Sequence, residues 1–553
     1  MLTTYRIASI DEIGQEAWNN LIQTNKVNTV YQTYQWHKAL WEVYKTEFEL
    51  FLLCVKEHEN LVGIAPLMRK TKDNIRLLLF IGHYQADYSD FIYQDGKPYI
   101  LNEIVTWLKN HRDTWDRLHL LNIPDYSPSG SMLLEFSQNA GWPALAGVCA
   151  VCPAWQFDEA GNSIEAITNK KSLKRHYSHF KNLPGFEVFH LTNRVDILPY
   201  MDEYFQQHIE RRYIAGELSL FLEDDIKQCY LNLVTIFDRS DLLIFTIIRS
   251  QGQNIAFHLG FQYNHTFIWY KPSFDITLFK LYPGEVLLNE LFRYAASNGC
   301  HEFDFTIGNE QFKERFSNIV RKNYSYQVYQ CSKDMPERAP QYSRMQHLLI
   351  RINNIIKESG TIRGIWKILG IIGERSFEYE CVYYFAIPRC VSAPQSVELF
   401  LEDVVVRQGG VKDVFRLNYF NRIEQKLEYF KCAFERLLKG DIFLIIEHHG
   451  NIASYAWISR RDKFPISEVD TTIGLKEGAI IIFDCLTLPE YRRKHLYRFM
   501  LSRIIDDYIC EEKVIYCRKN NIPSIKAITP LFRLKRRLFY MRLFDIRLRW
   551  SRT

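Results

Sequence analysis

FELFLLCVKEHENLVGIAPLMRK, from Phe48 to Lys70, decides the fold, because the chain writes the same pattern twice more. A strand-like run meets a short polar turn, and a second apolar run comes straight back. The other copies are DLLIFTIIRSQGQNIAFHLGFQ, Asp241 to Gln262, and DIFLIIEHHGNIASYAWISRR, Asp441 to Arg461. They lie about 190 to 200 residues apart, and self-similarity at a long period points to a repeated architecture.

Each hairpin is followed by a strand, an amphipathic helix and another strand. After the first come NIRLLLFIG, ILNEIVTWLKNH and DRLHLLNI; after the second, HTFIWYKP, GEVLLNELFRYAASNG and CHEFDFTIG; after the third, GAIIIFDCL, RRKHLYRFMLSRIIDDYI and KVIYC. The strands are rich in β-branched and aromatic residues, and the helices repeat apolar residues at i, i+3 and i+4. A strand entering a helix and returning as a neighbouring strand gathers backbone N–H groups at the helix start, where a phosphate-bearing ligand can sit. The expected fold is α/β (α+β), with three units of mixed twisted sheet and helices on both faces.

A chain of 553 residues has room for about three or four domains. Hydrophobic content of 47% and charged content of 24% are ordinary for a globular protein. A net charge of +5 is too small to argue for nucleic acid. No apolar run reaches the roughly 18 to 20 residues of a membrane span, and the N-terminus shows no signal-peptide core, so the expected compartment is the cytoplasm. The twelve cysteines are scattered, and the lone pair Cys149 and Cys152 lacks a second pair at zinc spacing; they read as reduced packing residues. His258 and His265 show no ligand spacing, and no metal site is expected. A seam is expected near 150–160, a helical connector at Pro340–Gly370, and a linker at Cys390–Ser396. The expected units are 1–155, 156–389 and 390–553.

Specific residues now carry a resemblance. IIFDCLTLPEYRRKHLYRFMLSRII resembles the strand–loop–helix motif of GNAT-type acyltransferases, and NNIPSIKAITPLF resembles that family's second motif. Residues 156 to about 330 resemble the FemAB-like, CelD-type acetyltransferase domain through KKSLKRHYSHF, LYPGEVLLNELFRYAASNG and FDFTIGNEQFKERF. The first unit resembles that domain's N-terminal partner through YQTYQWHKALW and ADYSDFI. The resemblance implies attack by an amine or hydroxyl on an activated acyl group, with acetyl-CoA or another acyl-CoA as co-substrate. Such chemistry needs an anion cradle, an oxyanion donor and a base.

In the third unit the cradle would be Arg492, Arg493, Lys494, His495, Leu496 and Tyr497, with Asn521 from the second motif. Arg493 and His495 stand where the family has glycines, and Ile528 stands where it often has a tyrosine that acts as general acid. Two readings stay open: a cationic cradle, and a fold that has lost acyl-CoA. In the second unit the cradle would be Tyr282, Pro283, Gly284 and Glu285, with a simple helix cap as the alternative. Asp304 lies on a short strand between two phenylalanines, where a bare carboxylate is costly to bury. Asp304 and Lys313 are the candidate catalytic residues; resemblance of the Phe312-Lys313 pair to an active-site element of Fem-like ligases implies that the lysine offers charge to an acyl-donor phosphate or oxyanion. The alternative is a salt bridge from Asp304 to Lys313 or Arg315.

Two basic stretches complete the picture. Lys170–Lys181 reads as a solvated helix face or, alternatively, as a contact for a polyanionic donor. Arg533–Trp550 reads as alternating strands closing the last sheet, with a peripheral contact to anionic lipid at the inner membrane face as the alternative. The expected function is transfer of an acyl, in particular acetyl, group to a sugar, lipid or polysaccharide precursor. The alternatives are aminoacyl transfer from tRNA and a non-catalytic binding protein.

Overall fold

The computed structural model of the chain describes residues 2–157, 164–331, 377–388, 402–417, 419–420, 422–543 and 546–552. The expected connector at Pro340–Gly370 and the linker at Cys390–Ser396 lie outside the described residues. The chain divides into two compact units, Met1–Arg212 with Leu218–Glu337, and Tyr213–Glu217 with Arg338–Thr553.

The first unit holds one thirteen-stranded sheet. Its strands are β1 (Leu2–Ile7), β2 (Glu49–Glu57), β3 (Asn60–Lys72), β4 (Ile75–Phe80), β5 (Ile92–Tyr93), β6 (Arg117–Pro124) and β7 (Ala144–Gln156). Then come β8 (Glu187–Leu191), β9 (Leu243–Ser250), β10 (Gln253–Tyr263), β11 (Thr266–Phe274), β12 (Glu302–Asp304) and β13 (Ile319–Tyr329). The order is β1-β2-β3-β4-β6-β13-β7-β12-β11-β10-β9-β8, with β5 against β3. β13 inserts between β6 and β7 and pairs with both, joining the first two copies of the repeat. The boundary expected at 155/156 therefore falls inside a hydrogen-bonded strand. Strand alternation buries both faces: Leu52 and Cys54 of β2 join one core, while Phe51, Leu53 and Val55 join another.

The second unit has β14 (Phe377–Pro388), β15 (Val404–Gly409), β16 (Ile442–His448), β17 (Asn451–Ser459), β18 (Lys463–Ile466), β19 (Thr471–Gly474), β20 (Ile480–Thr487), β21 (Glu512–Arg518), β22 (Arg533–Leu543) and β23 (Ile546–Arg552). The main sheet runs β15-β16-β17-β20-β21-β14-β22-β23, and β18 pairs with β19. β14 precedes the expected linker yet lies between β21 and β22, so the C-terminal sheet draws on chain before residue 390. β22 and β23 close the sheet as an antiparallel pair, which is what the alternation in Arg533–Trp550 called for.

All three hairpins form. In the second and third, the two turn residues are both left-handed: Gln251 and Gly252 at φ 50° and 77°, His449 and Gly450 at φ 49° and 76°. This two-residue geometry matches the twist of the flanking strands. Each copy then makes one short parallel contact after its helix. β4 meets β6 at Leu77–Arg117 and Leu78–Leu118, β11 meets β12 over Thr266–Ile268, and β20 meets β21 over Ile480–Ile482. In the third copy a cavity lies beyond that contact, against Cys485, Leu486 and Thr487 at the end of β20.

Candidate functional site

In the second copy, β12 ends at Asp304, and the chain after it is pinned on both sides. Thr306 donates its N–H to Asp304 Oδ1 at 2.7 Å and its hydroxyl to the Trp269 carbonyl at 3.3 Å. The Phe305 and Gly308 N–H groups donate to the Pro153 and Val151 carbonyls. Thr306 does this at φ 57°, a costly conformation for a β-branched residue, and such strain concentrates at functional sites. Phe303 faces the helix Pro283–Ser297, stacking on Phe292 at 4.1 Å. Asp304 points the other way.

Asp304 is 4% exposed. Burial, with the nearby Glu302 carboxylate, pushes its pKa up to about 6, while the Thr306 N–H, Arg321 and the Tyr88 hydroxyl draw it back. Glu302 is itself held by a two-pronged ion pair from Arg321, at 2.7 and 2.6 Å. These groups line a cavity of about 400 Å³ with Lys26, Thr29, Tyr88 and Tyr126. A carboxyl near neutrality, beside fixed donors in a cavity, can take a proton from a bound nucleophile.

Lys313 is 5% exposed and tied down, its ammonium donating to the Ile307 carbonyl at 2.6 Å and facing Glu310 at 3.2 Å. Gly308 stands at φ 147°, a backbone that favours glycine, and a Cβ there would crowd the ends of Glu310 and Lys313. The salt bridges considered for Asp304 take other partners: Lys313 pairs with Glu310, and Arg315 with Glu285 at 3.5 Å.

The helix Pro283–Ser297 starts from Tyr282 in left-handed backbone, with Pro283 in its first turn. Tyr282 stacks on His176 at 4.5 Å, and His176 Nδ1 contacts Glu285 at 2.8 Å. Glu285 thus places its own carboxylate at the helix start. Gly284 faces the Phe274 ring, at 3.3 Å from where a Cβ would stand. The helix Lys171–Lys181 buries Leu173, His176 and Phe180, and exposes Lys171, Lys174, Arg175 and Lys181 beside this start.

In the third copy, a bulge opposite Ala456 (Tyr455 pairs with Leu486, Trp457 with Phe483) interrupts the pairing of β20 with β17, and a cavity of about 640 Å³ lies against Cys485, Leu486 and Thr487. The structure brings Arg492, Arg493, Lys494, His495, Leu496, Tyr497 and Asn521 together there, at the start of the helix Leu496–Asp507. Arg493 and His495 keep left-handed backbone, at φ 63° and 60°, in the glycine positions. Asn521 caps the helix Ile522–Ile528 by accepting the Ser524 N–H. Tyr497 reaches both the Cys485 thiol and Ser524, so its ring spans the space between β20 and that helix; burial raises its pKa. Ile528 is fully buried in the core. The sequence reading missed Arg498 and Lys526, which add charge to the same cavity. It also did not assign Tyr88, Tyr126 and Arg321 to the site: Tyr88 and Tyr126 come from the first copy, far along the chain from Asp304, and Arg321 from β13.

Cys149 and Cys152 are free thiols, the first exposed and the second buried. Among the described residues no group of three or more His, Cys, Asp or Glu side chains could hold a metal ion. Among the same residues no helix is long and apolar enough to cross a membrane.

Residues 168–314 match the family model described as acetyltransferase (GNAT) domain. No curated protein matches the chain. Among solved structures, it is similar to FemX at 10% identity and TM-score 0.44, over 58% of this chain and 96% of that one. A tandem GNAT protein from the clavulanic acid biosynthesis pathway aligns at 11% identity and TM-score 0.35, over 59% and 98% of the two chains. The C-terminal domain (DUF2156) of a putative lysylphosphatidylglycerol synthetase from Agrobacterium fabrum aligns at 11% identity and TM-score 0.37, over 63% and 98%. Residues 168–314 thus match a GNAT acetyltransferase domain, within the mixed α/β fold that the repeats called for.

Proposed function

We propose that the first unit transfers an acyl group from acyl-CoA, in particular acetyl-CoA, to an amine or hydroxyl, with Asp304 as the proton acceptor. The observation that carries this reading is Asp304 itself, a buried carboxyl with a pKa near 6 in a polar cavity, within the segment that matches the GNAT domain. In the step, the acceptor nitrogen or oxygen forms a bond to the thioester carbonyl carbon, and the C–S bond breaks. The acceptor's proton goes to the Asp304 carboxylate, and the thiolate leaves to take a proton from water.

The donor's phosphates fit the exposed basic face of Lys171–Lys181 beside the start of Pro283–Ser297. The acceptor side is the Asp304 cavity, on the opposite face of the strand from Phe303 and that helix. Lys313 serves as a positioning residue that closes the turn after Asp304. A CelD-type acceptor from a sugar, lipid or polysaccharide precursor and a cytoplasmic setting accord with this reading.

The test is thiol release from acetyl-CoA with a panel of amines. Asp304→Asn keeps the oxygen that accepts from Thr306, so the fold should persist while turnover falls at least about 100-fold, the usual contribution of a general base. Unchanged turnover in the folded variant would remove Asp304 from the reaction.

A further inference from the structure

The Asp304 cavity has a composition that selects its ligand. It is assembled from both halves of the fused sheet, with Lys26, Thr29, Tyr88 and Tyr126 from the first copy and Asp304 and Arg321 from the second. Among the described residues of its lining, Ile268 is the one aliphatic side chain; the rest are hydroxyls, amides, phenols and charged groups. An acyl chain or lipid tail would leave those polar groups unpaired. The Arg321–Glu302 pair is internally neutral, so the negative charge presented at the floor is that of Asp304, which disfavours a phosphate there.

Two hydroxyls in this cavity ask for a partner. Tyr88 is 2% exposed, and its hydroxyl lies near the Asp304 carboxyl, close enough to act on it but short of full hydrogen-bond geometry with it. The Thr29 hydroxyl is buried and likewise unpaired. A buried polar atom without a partner is costly, so an unpaired pair in one cavity marks a place where a ligand supplies the missing groups. At about 400 Å³ the cavity stands at the small end of ligand sites, which suits one ring.

We propose that this cavity binds an amino sugar: a single polyhydroxylated ring whose amine meets Asp304 and whose hydroxyls satisfy Tyr88 and Thr29. The inference rests on the acyl-transfer reading only for what then happens to the amine; binding stands by itself.

The test is calorimetric titration of the full chain with D-glucosamine, D-glucose and cyclohexylamine, followed by thiol release from acetyl-CoA with each. Glucosamine should bind at least about tenfold more tightly than either comparator, because each lacks one half of the recognised chemistry. Tyr88→Phe should weaken glucosamine binding several-fold without lowering the melting temperature, and Asp304→Asn should erase the preference for glucosamine over glucose. Cyclohexylamine binding as tightly as glucosamine, or glucosamine failing to bind, overturns the proposal. Glucosamine binding without thiol release supports this site and sinks the transferase reading. Thiol release with cyclohexylamine but no preference for glucosamine does the reverse.

Discussion

Thr306 donates its backbone N–H to Asp304 from a left-handed conformation that a β-branched residue avoids. The bond and the strain belong together. Past β12 the chain runs on beside β7, with the Phe305 and Gly308 N–H groups bonded to the Pro153 and Val151 carbonyls, and the left-handed Thr306 makes the local irregularity that its two hydrogen bonds hold in place.

Asp304 sets a pH-dependent cost. Its pKa is raised in the folded chain, to about 6 from an ordinary 3.8, so the folded state holds this proton more tightly than the unfolded state. Ionised Asp304 therefore costs stability above about pH 6, and the cost fades as pH falls toward 4. Asp304→Asn should raise the melting temperature at pH 8, lose about half of that gain at pH 5 and most of it by pH 4. An equal gain at all of these pH values would show that the carboxyl is not desolvated.

Lys313 is held by a carbonyl and a carboxylate. Lys313→Ala leaves both without a donor and should cost about 1–3 kcal/mol of stability, measured by denaturant titration. Turnover per folded molecule should stay within a few-fold. A fall of tenfold or more with unchanged stability would instead give the ammonium a direct part in stabilising the transition state, worth about 1.4 kcal/mol.

Gly284 has room for little more than a methyl group before it meets Phe274. Gly284→Ala should change stability by less than about 1 kcal/mol, since helix propensity offsets the tight contact. Gly284→Val should weaken acetyl-CoA binding more than it weakens folding. Equal affinity for the donor in both forms would take this helix start out of the donor site.

Arg493 and His495 hold the left-handed path without glycine, at a backbone cost of roughly 1–2 kcal/mol each. With Tyr497 spanning the space between β20 and the helix Ile522–Ile528, the third copy should bind acetyl-CoA weakly. In the full chain, Arg493→Gly combined with His495→Gly should leave acetyl-CoA affinity unchanged, and Tyr497→Ala should add a second binding event. A loss of affinity in the glycine variant would move the donor site to Arg492–Tyr497.

Much of this protein was legible along the chain. Period-two alternation and the turn dipeptides Gln251-Gly252 and His449-Gly450 set the hairpins, because local sterics decide such turns. The amphipathic spacing of Pro283–Ser297 and Leu496–Asp507 set the crossover helices, and the cost of burying Asp304 between two phenylalanines marked it as a residue that needed a reason. These are short-range properties, readable within a dozen residues.

Only the tertiary structure decided the rest. β13 sits between β6 and β7, fusing two copies into one sheet, and β14 enters the C-terminal sheet; both are pairings across long separations that no local pattern encodes. The same long-range closure brings Tyr88 and Thr29 to Asp304, ties Lys313 to Glu310, and sets Tyr497 between Cys485 and Ser524. Hydrophobic periodicity specifies which face of an element is buried; it leaves open against which partner, and so the chemistry of the site waits on the fold.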